Sequence, residues 1–174
     1  MAKNNQKKVL MIIAHNIFRD EEYLRPKEVL TKAGIKVVTA SSSLEPATGK
    51  YGAKVKPDLL VKEAKAEDYD AVIFVGGKGS RDYFNDPAAH ALAQGAAAHA
   101  KILSSICSGT GILAKAGVIR DKQVTSFPAE AEIIERNGGH YTGKPVETDG
   151  NIVTANGPEA AFDFGEAIKK MLLK

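Results

Sequence analysis

The 174-residue sequence has no tryptophan, a single cysteine, and only 6% aromatic residues. A single cysteine excludes an intrachain disulfide and fits a reducing, cytoplasmic setting. With so few rings, Ala, Val, Ile and Leu must build the core. No apolar stretch approaches the roughly 20 residues that a helix needs to cross a bilayer. The opening, MAKNNQKKVLMIIAH, has a basic start and a short apolar run. It lacks the small-residue cleavage site of a secretory leader and reads as a first buried strand. Neither sign of charge dominates: 24 Lys and Arg stand against 21 Asp and Glu, a net +3. The lysines are scattered, with small groups at Lys7-Lys8 and Lys169-Lys170, whereas nucleic-acid binding calls for a cluster on one face. Neither a nucleic-acid partner nor a membrane is expected. No pair of the four histidines has zinc spacing, so no metal is expected, and no other cofactor either.

Hydrophobic residues make up 44% and charged residues 26%, ordinary values for a globular chain. The length suits one domain spanning 1–174. The continuous apolar run at 9–14 reads as a strand covered on both faces, 35–40 as a second apolar strand, 71–75 as a third, buried one, and 102–106 as a fourth. Helical patterns fall at 20–33, 87–99, 109–116, 129–137 and 159–173. The last offers Phe162, Phe164, Ala167, Ile168, Met171 and Leu172 for burial. Asp149-Gly150 reads as a hairpin turn between 146–148 and 152–155. The stretch 42–66 is less regular, with a short edge strand or hairpin at 54–56 and a short helix within 58–65. Alternating strands and helices predict an α/β fold with a mostly parallel sheet covered on both sides. Ligands in such folds bind at the carboxyl ends of the strands. Here those ends are 15–22, 76–79 and 107–110.

Cys107 is the leading candidate for chemistry. In Ser105-Ile106-Cys107-Ser108-Gly109, small residues stand two places either side of it, as in a nucleophile elbow. A strand that reverses sharply into a helix brings those neighbours into contact, so they must be small. The elbow also sets the thiol at a helix start, which favours a thiolate. Gly76-Gly77-Lys78-Gly79 ends the third strand, where bare backbone N–H groups can approach a ligand. It lacks the Gly-Lys-Ser/Thr ending of a phosphate loop. Asp20, Glu21 and Glu22 open the first helix; any of them can turn toward the crevice, and position alone does not choose. His15 ends the first strand and is a possible crevice residue. His90 and His99 read as surface residues, and His140 as packed in a turn.

Three features together resemble the ThiJ/PfpI family: the strand with Gly-Gly at 71–77, Ile-Cys-Ser-Gly at 106–109, and Asn-Gly-Gly-His-Tyr-Thr at 137–142. This is the branch of the class I glutamine-amidotransferase-like superfamily that includes the parkinsonism-associated deglycase. The likeness runs from about Lys8 to Leu172. It implies a flavodoxin-like three-layer sandwich and a homodimer or higher homo-oligomer. It also implies an oxidation-prone elbow cysteine at Cys107 and a glycine pair at Gly76-Gly77. The family glutamate, four residues before a proline, falls on Glu22 before Pro26. The N–H groups of Gly77 and Ser108 become the oxyanion donors.

Two positions depart from the family pattern. Peptidase-like and many chaperone-like members carry His directly after the cysteine, where this chain has Ser108. The deglycase-like branch often carries a crevice His before a proline, where this chain has Phe127 before Pro128. A thiol peptidase needs a base to shuttle a proton to its leaving amine. The resemblance therefore implies action on small reactive carbonyls, of glutathione-independent glyoxalase or deglycase type. Cys107 would attack and Glu22 would carry the proton. The alternatives are a non-enzymatic oxidation-sensing or chaperone-like protein using Cys107 and, behind it, an amidase or peptidase.

Overall fold

The computed structural model describes residues 5–174. In chain order the elements begin with β1 (Lys8–Ile12), β2 (Asn16–Phe18), α1 (Asp20–Lys32), β3 (Lys36–Ser41), β4 (Ala47–Gly49) and β5 (Lys54–Val55). Next come β6 (Leu59–Leu60), β7 (Ala71–Phe74), α2 (Pro87–Ala98), β8 (Ile102–Ile106), α3 (Thr110–Ala116) and β9 (Gln123–Val124). The chain closes with α4 (Ala131–Arg136), β10 (His140–Tyr141), β11 (Val146–Asp149), β12 (Ile152–Ala155) and α5 (Ala161–Leu172).

Seven strands form the main sheet in the order β11-β12-β8-β7-β1-β3-β6. Every neighbouring pair is parallel except the β11–β12 hairpin. The central strands β1, β7 and β8 are buried on both faces beyond Lys8, with the buried Ser104 and Ser105 among the apolar residues of β8. The crossover from β1 to β3 moves one way across the sheet, and that from β7 to β8 moves the other. Right-handed crossovers then put α1 and α2 on opposite faces. Accordingly α1 packs on α5, and α2 on α3. The strand order reverses between the adjacent parallel strands β1 and β7, which opens a crevice at their carboxyl ends.

Two elements differ from the sequence reading. Residues 58–65 hold β6 and then a single 3-10 helical turn (Val61–Glu63), so the short helix expected there is confined to three residues. The Asp58 carboxylate accepts from the Thr39 N–H at 2.8 Å, and the Asp58 N–H donates to the Thr39 carbonyl at 2.8 Å. These two bonds zip the segment onto β3 as an edge strand. In α5 the buried stripe is Ala161, Phe164, Gly165, Ile168 and Leu172, spaced for one helix face. Phe162 falls off that stripe and is 54% exposed.

A smaller sheet, β2-β4-β5, is held by Asp20. This acid does more than open a helix. Its two carboxylate oxygens accept the N–H groups of Tyr51 and Ala53, each at 2.9 Å, and the side chain is buried. A charged acceptor of two backbone donors is worth more than a neutral one, and its removal leaves both donors unpaired. Asp20→Ala is expected to lower stability by about 2–3 kcal/mol in chemical denaturation. Amide hydrogen exchange at Tyr51 and Ala53 should speed up well before exchange in β1 and β7.

Candidate active site

The crevice at the ends of β1, β7 and β8 is a cavity of about 270 Å³. Ile17, Arg19, Glu22, Lys50, Gly77, Lys78, Arg81, Cys107, Ser108 and Phe127 line it. Four of the six residues singled out from the sequence lie on this wall: Cys107, Glu22, Gly77 and Ser108. Gly76 is buried directly beneath it. His15 does not line it; its Nδ1 is buried with no hydrogen-bond partner. His140 is not packed in a turn but exposed on the two-residue strand β10.

Cys107 has φ of 61°, a left-handed conformation that L side chains rarely adopt. The sharp reversal after β8 imposes it, and it carries the thiol to the cavity floor. Gly109 lies against β7: a Cβ there would come within 2.7 Å of the Phe74 carbonyl oxygen. On the strand side, the Ser105 hydroxyl bonds the Thr110 hydroxyl at 2.7 Å. The small flanking residues are therefore required by the turn itself.

Gly76 and Gly77 are fixed just as closely. A Cβ on Gly76 would strike the Glu22 carboxyl, the Ile106 carbonyl and Cys107. Gly77 has φ of 106°, and a Cβ there would meet the backbone of residues 17–19. The Arg19 N–H donates to the Gly76 carbonyl at 3.0 Å, which orients the peptide whose N–H belongs to Gly77. That N–H and the one on Ser108 both favour the charged form of the Cys107 sulfur. The Ser108 hydroxyl has other partners: it donates to the Gly77 carbonyl at 2.9 Å and lies 2.9 Å from the Ser80 hydroxyl. It does not replace the family histidine as a base.

Of the three acids, Glu22 alone lines the cavity. Glu21 pairs with Arg19 at 2.8 Å, which holds its carboxyl below the usual range. Glu22 is 0% exposed, and neither carboxyl oxygen has a hydrogen bond of good geometry. Burial pushes it up to about 7, against the pull of the Cys107 thiol, the Arg19 charge and the Gly76 amide. Burial, and then the negative charge on Glu22, push the thiol up to about 12; the Ser108 and Gly77 amides pull it down. The freely ionised thiolate expected from a helix start is therefore not what this site holds. The two groups titrate as a pair. Near neutrality the carboxyl gives up its proton and the thiol keeps its own.

Several wall residues carried no sequence signal. Ile17 has φ of 59° and is 43% exposed, a strained β-branched residue at the cavity rim. Lys50 arrives on the β4–β5 turn, inside the less regular stretch 42–66. Arg81 pairs with the buried Glu130 at 2.5 Å, which ties the wall below Gly77 to the turn carrying Phe127.

A carboxyl with a higher pKa folded than unfolded stabilises the fold at low pH. That contribution is lost as the pH rises from the ordinary value of 4.5 through about 7. Glu22→Gln stays neutral at every pH. It is expected to be more stable than the parent at about pH 8, by up to about 3 kcal/mol, with the difference gone near pH 4. Urea unfolding across this range checks the sign; a variant weaker than the parent at pH 8 contradicts it.

Comparison with known proteins agrees with this architecture. The chain matches the DJ-1/PfpI family over residues 7–171. It is 34% identical over 170 residues to an uncharacterized protein of Methanocaldococcus jannaschii, covering 96% of this chain and 83% of that one. It is 32% identical over 165 residues to a Pyrococcus horikoshii protein named a deglycase, covering 95% of this chain and 99% of the relative. Among solved structures, a ThiJ/PfpI domain protein from Brachyspira murdochii superposes with a TM-score of 0.94 at 33% identity, covering 97% of each chain. Drosophila melanogaster DJ-1beta does so at 0.88 and 29% identity, covering 96% of this chain and 90% of that one. Over nearly its whole length, this chain belongs to the DJ-1/PfpI family.

Proposed function

We propose that the protein converts small reactive α-oxoaldehydes to α-hydroxy acids without glutathione, with Cys107 as nucleophile and Glu22 as proton carrier. One observation carries the reading. A partly exposed thiol shares a small cavity with a fully buried, unpartnered carboxyl that is half-ionised near neutrality. A general base works best when its pKa lies near the working pH. The name of the Pyrococcus horikoshii relative, deglycase, points toward the same class of carbonyl substrate.

The steps balance without an external oxidant. Sulfur adds to the aldehyde carbon, and the thiol proton moves to the carbonyl oxygen, giving a hemithioacetal. Glu22 removes the hydrogen on that carbon as a proton. Its electron pair forms the enediolate double bond, and negative charge develops on the neighbouring ketone oxygen. The Gly77 and Ser108 N–H groups are the donors available to that charge. Glu22 returns the proton to the former ketone carbon, the hydroxyl proton on the first carbon passes to the neighbouring alkoxide oxygen, and the first carbon becomes a thioester carbonyl. Water then releases the hydroxy acid and restores the thiol. One carbon is oxidised and its neighbour reduced.

With methylglyoxal, lactate is expected to form without added glutathione. Cys107→Ala should reduce it to background, and Glu22→Gln should lower kcat by about 10²- to 10⁴-fold. The reactive pair has lost one proton, so kcat/KM should climb about tenfold per pH unit in acid and level off above about 7. Full activity in Cys107→Ala would overturn the proposal.

A further inference from the structure

The cavity wall is unevenly charged. Arg19, Lys50, Lys78 and Arg81 line it, and Glu22 is the only acid among the described residues that does. Two of these cations are already matched by carboxylates, Arg19 by Glu21 and Arg81 by Glu130. Lys50 and Lys78 are exposed and make no ion pair among the described residues. Lys50 lies over the Tyr51 ring at 5.4 Å, which restricts where its ammonium can swing. Lys78 follows the constrained Gly76-Gly77 pair, so its backbone is held at the cavity edge. Two apolar side chains, Ile17 and Phe127, complete the rim at 43% and 44% exposure.

We propose that Lys50 and Lys78 form an anion-binding subsite at the cavity mouth, which selects small α-oxoaldehydes bearing a carboxylate or other negative group. The selection rests on the carbonyl chemistry proposed above. The floor and the mouth have opposite polarity: Glu22 and Cys107 share a negative charge below, and two uncommitted ammonium groups stand above. A substrate negative at one end is repelled from the floor and held at the rim. Its aldehyde then points at the sulfur. A neutral oxoaldehyde gains no such orientation. Convergent positive charge in a partly enclosed cleft also raises the local concentration of anions.

Two matched pairs of probes test this on the full-length protein. The first needs no catalysis. Iodoacetate and iodoacetamide are nearly equal in size and alkylate the thiol by the same displacement of iodide, but only iodoacetate is charged. The ratio of their rate constants at Cys107 is expected to exceed that for glutathione by about tenfold, and to fall toward it at about 0.5 M salt. Lys50→Met and Lys78→Met should each lower the ratio, and the double variant should abolish the excess. Lys101→Met, a cation removed beside the amino end of β8, should leave it unchanged. The second pair is dioxopentanoate, an oxoaldehyde ending in a carboxylate, against its uncharged five-carbon counterpart oxopentanal. Their kcat/KM ratio should favour the anion about tenfold and fall in the lysine variants. A ratio equal to that of glutathione, equal turnover of the two aldehydes, or an equal effect of Lys101→Met overturns the subsite. An alkylation ratio that behaves as expected, with neither aldehyde turned over, leaves the subsite standing and overturns the glyoxalase reading.

Discussion

A carboxyl sealed from water without a hydrogen-bond partner is costly, and Glu22 is such a group. The fold tolerates it because the acid can take up a proton near neutrality. The same tolerance ties the acid to Cys107. A charged Glu22 opposes the thiolate, and a protonated Glu22 can donate to it. Neither group has a chemistry independent of the other.

The pair is held by backbone approaching backbone. The end of β7 passes so close to α1 and to the elbow that side chains are excluded at Gly76, Gly77 and Gly109. Two non-glycine residues, Cys107 and Ile17, take left-handed conformations on the same cavity. Such conformations cost on the order of 1–3 kcal/mol each and persist only where the surroundings impose them. Their meeting at one crevice marks the place where the fold gives up stability to hold a geometry. The main sheet supplies the rigidity: β1, β7 and β8 are buried central strands whose carboxyl ends fix the three loops.

Hairpin β4–β5 contributes in another way. Asp20 anchors it, and with it Lys50, to the first turn of α1. That turn also carries Glu22. One short run of acids therefore performs three separate tasks: Asp20 binds a distant turn, Glu21 pairs with Arg19, and Glu22 enters the site.

Much of this was legible in the residues alone. Uninterrupted apolar runs give buried parallel strands because no alternation marks a wet face, and β1 and β7 lie on such runs, while β3 and β8 lie on the more mixed stretches 35–40 and 102–106. The spacing of Ser105, Cys107 and Gly109 announced a sharp turn because only small side chains can be crowded that way. Local pattern failed where a distant partner decided. Residues 59–60 became an edge strand through Thr39, Phe162 was left outside by the packing of α5 on α1, and His15 was left off the cavity wall. From position alone the three acids at 20–22 were equivalent; only the family likeness favoured Glu22, whose burial depends on how α1 meets the end of β7. The sequence by itself determined the strand order of events along the chain and the cysteine on its elbow, since both follow from neighbouring residues. The partner of that cysteine, the pKa of the pair and the cations around it were decided by tertiary structure, because burial and charge proximity exist only once distant segments meet.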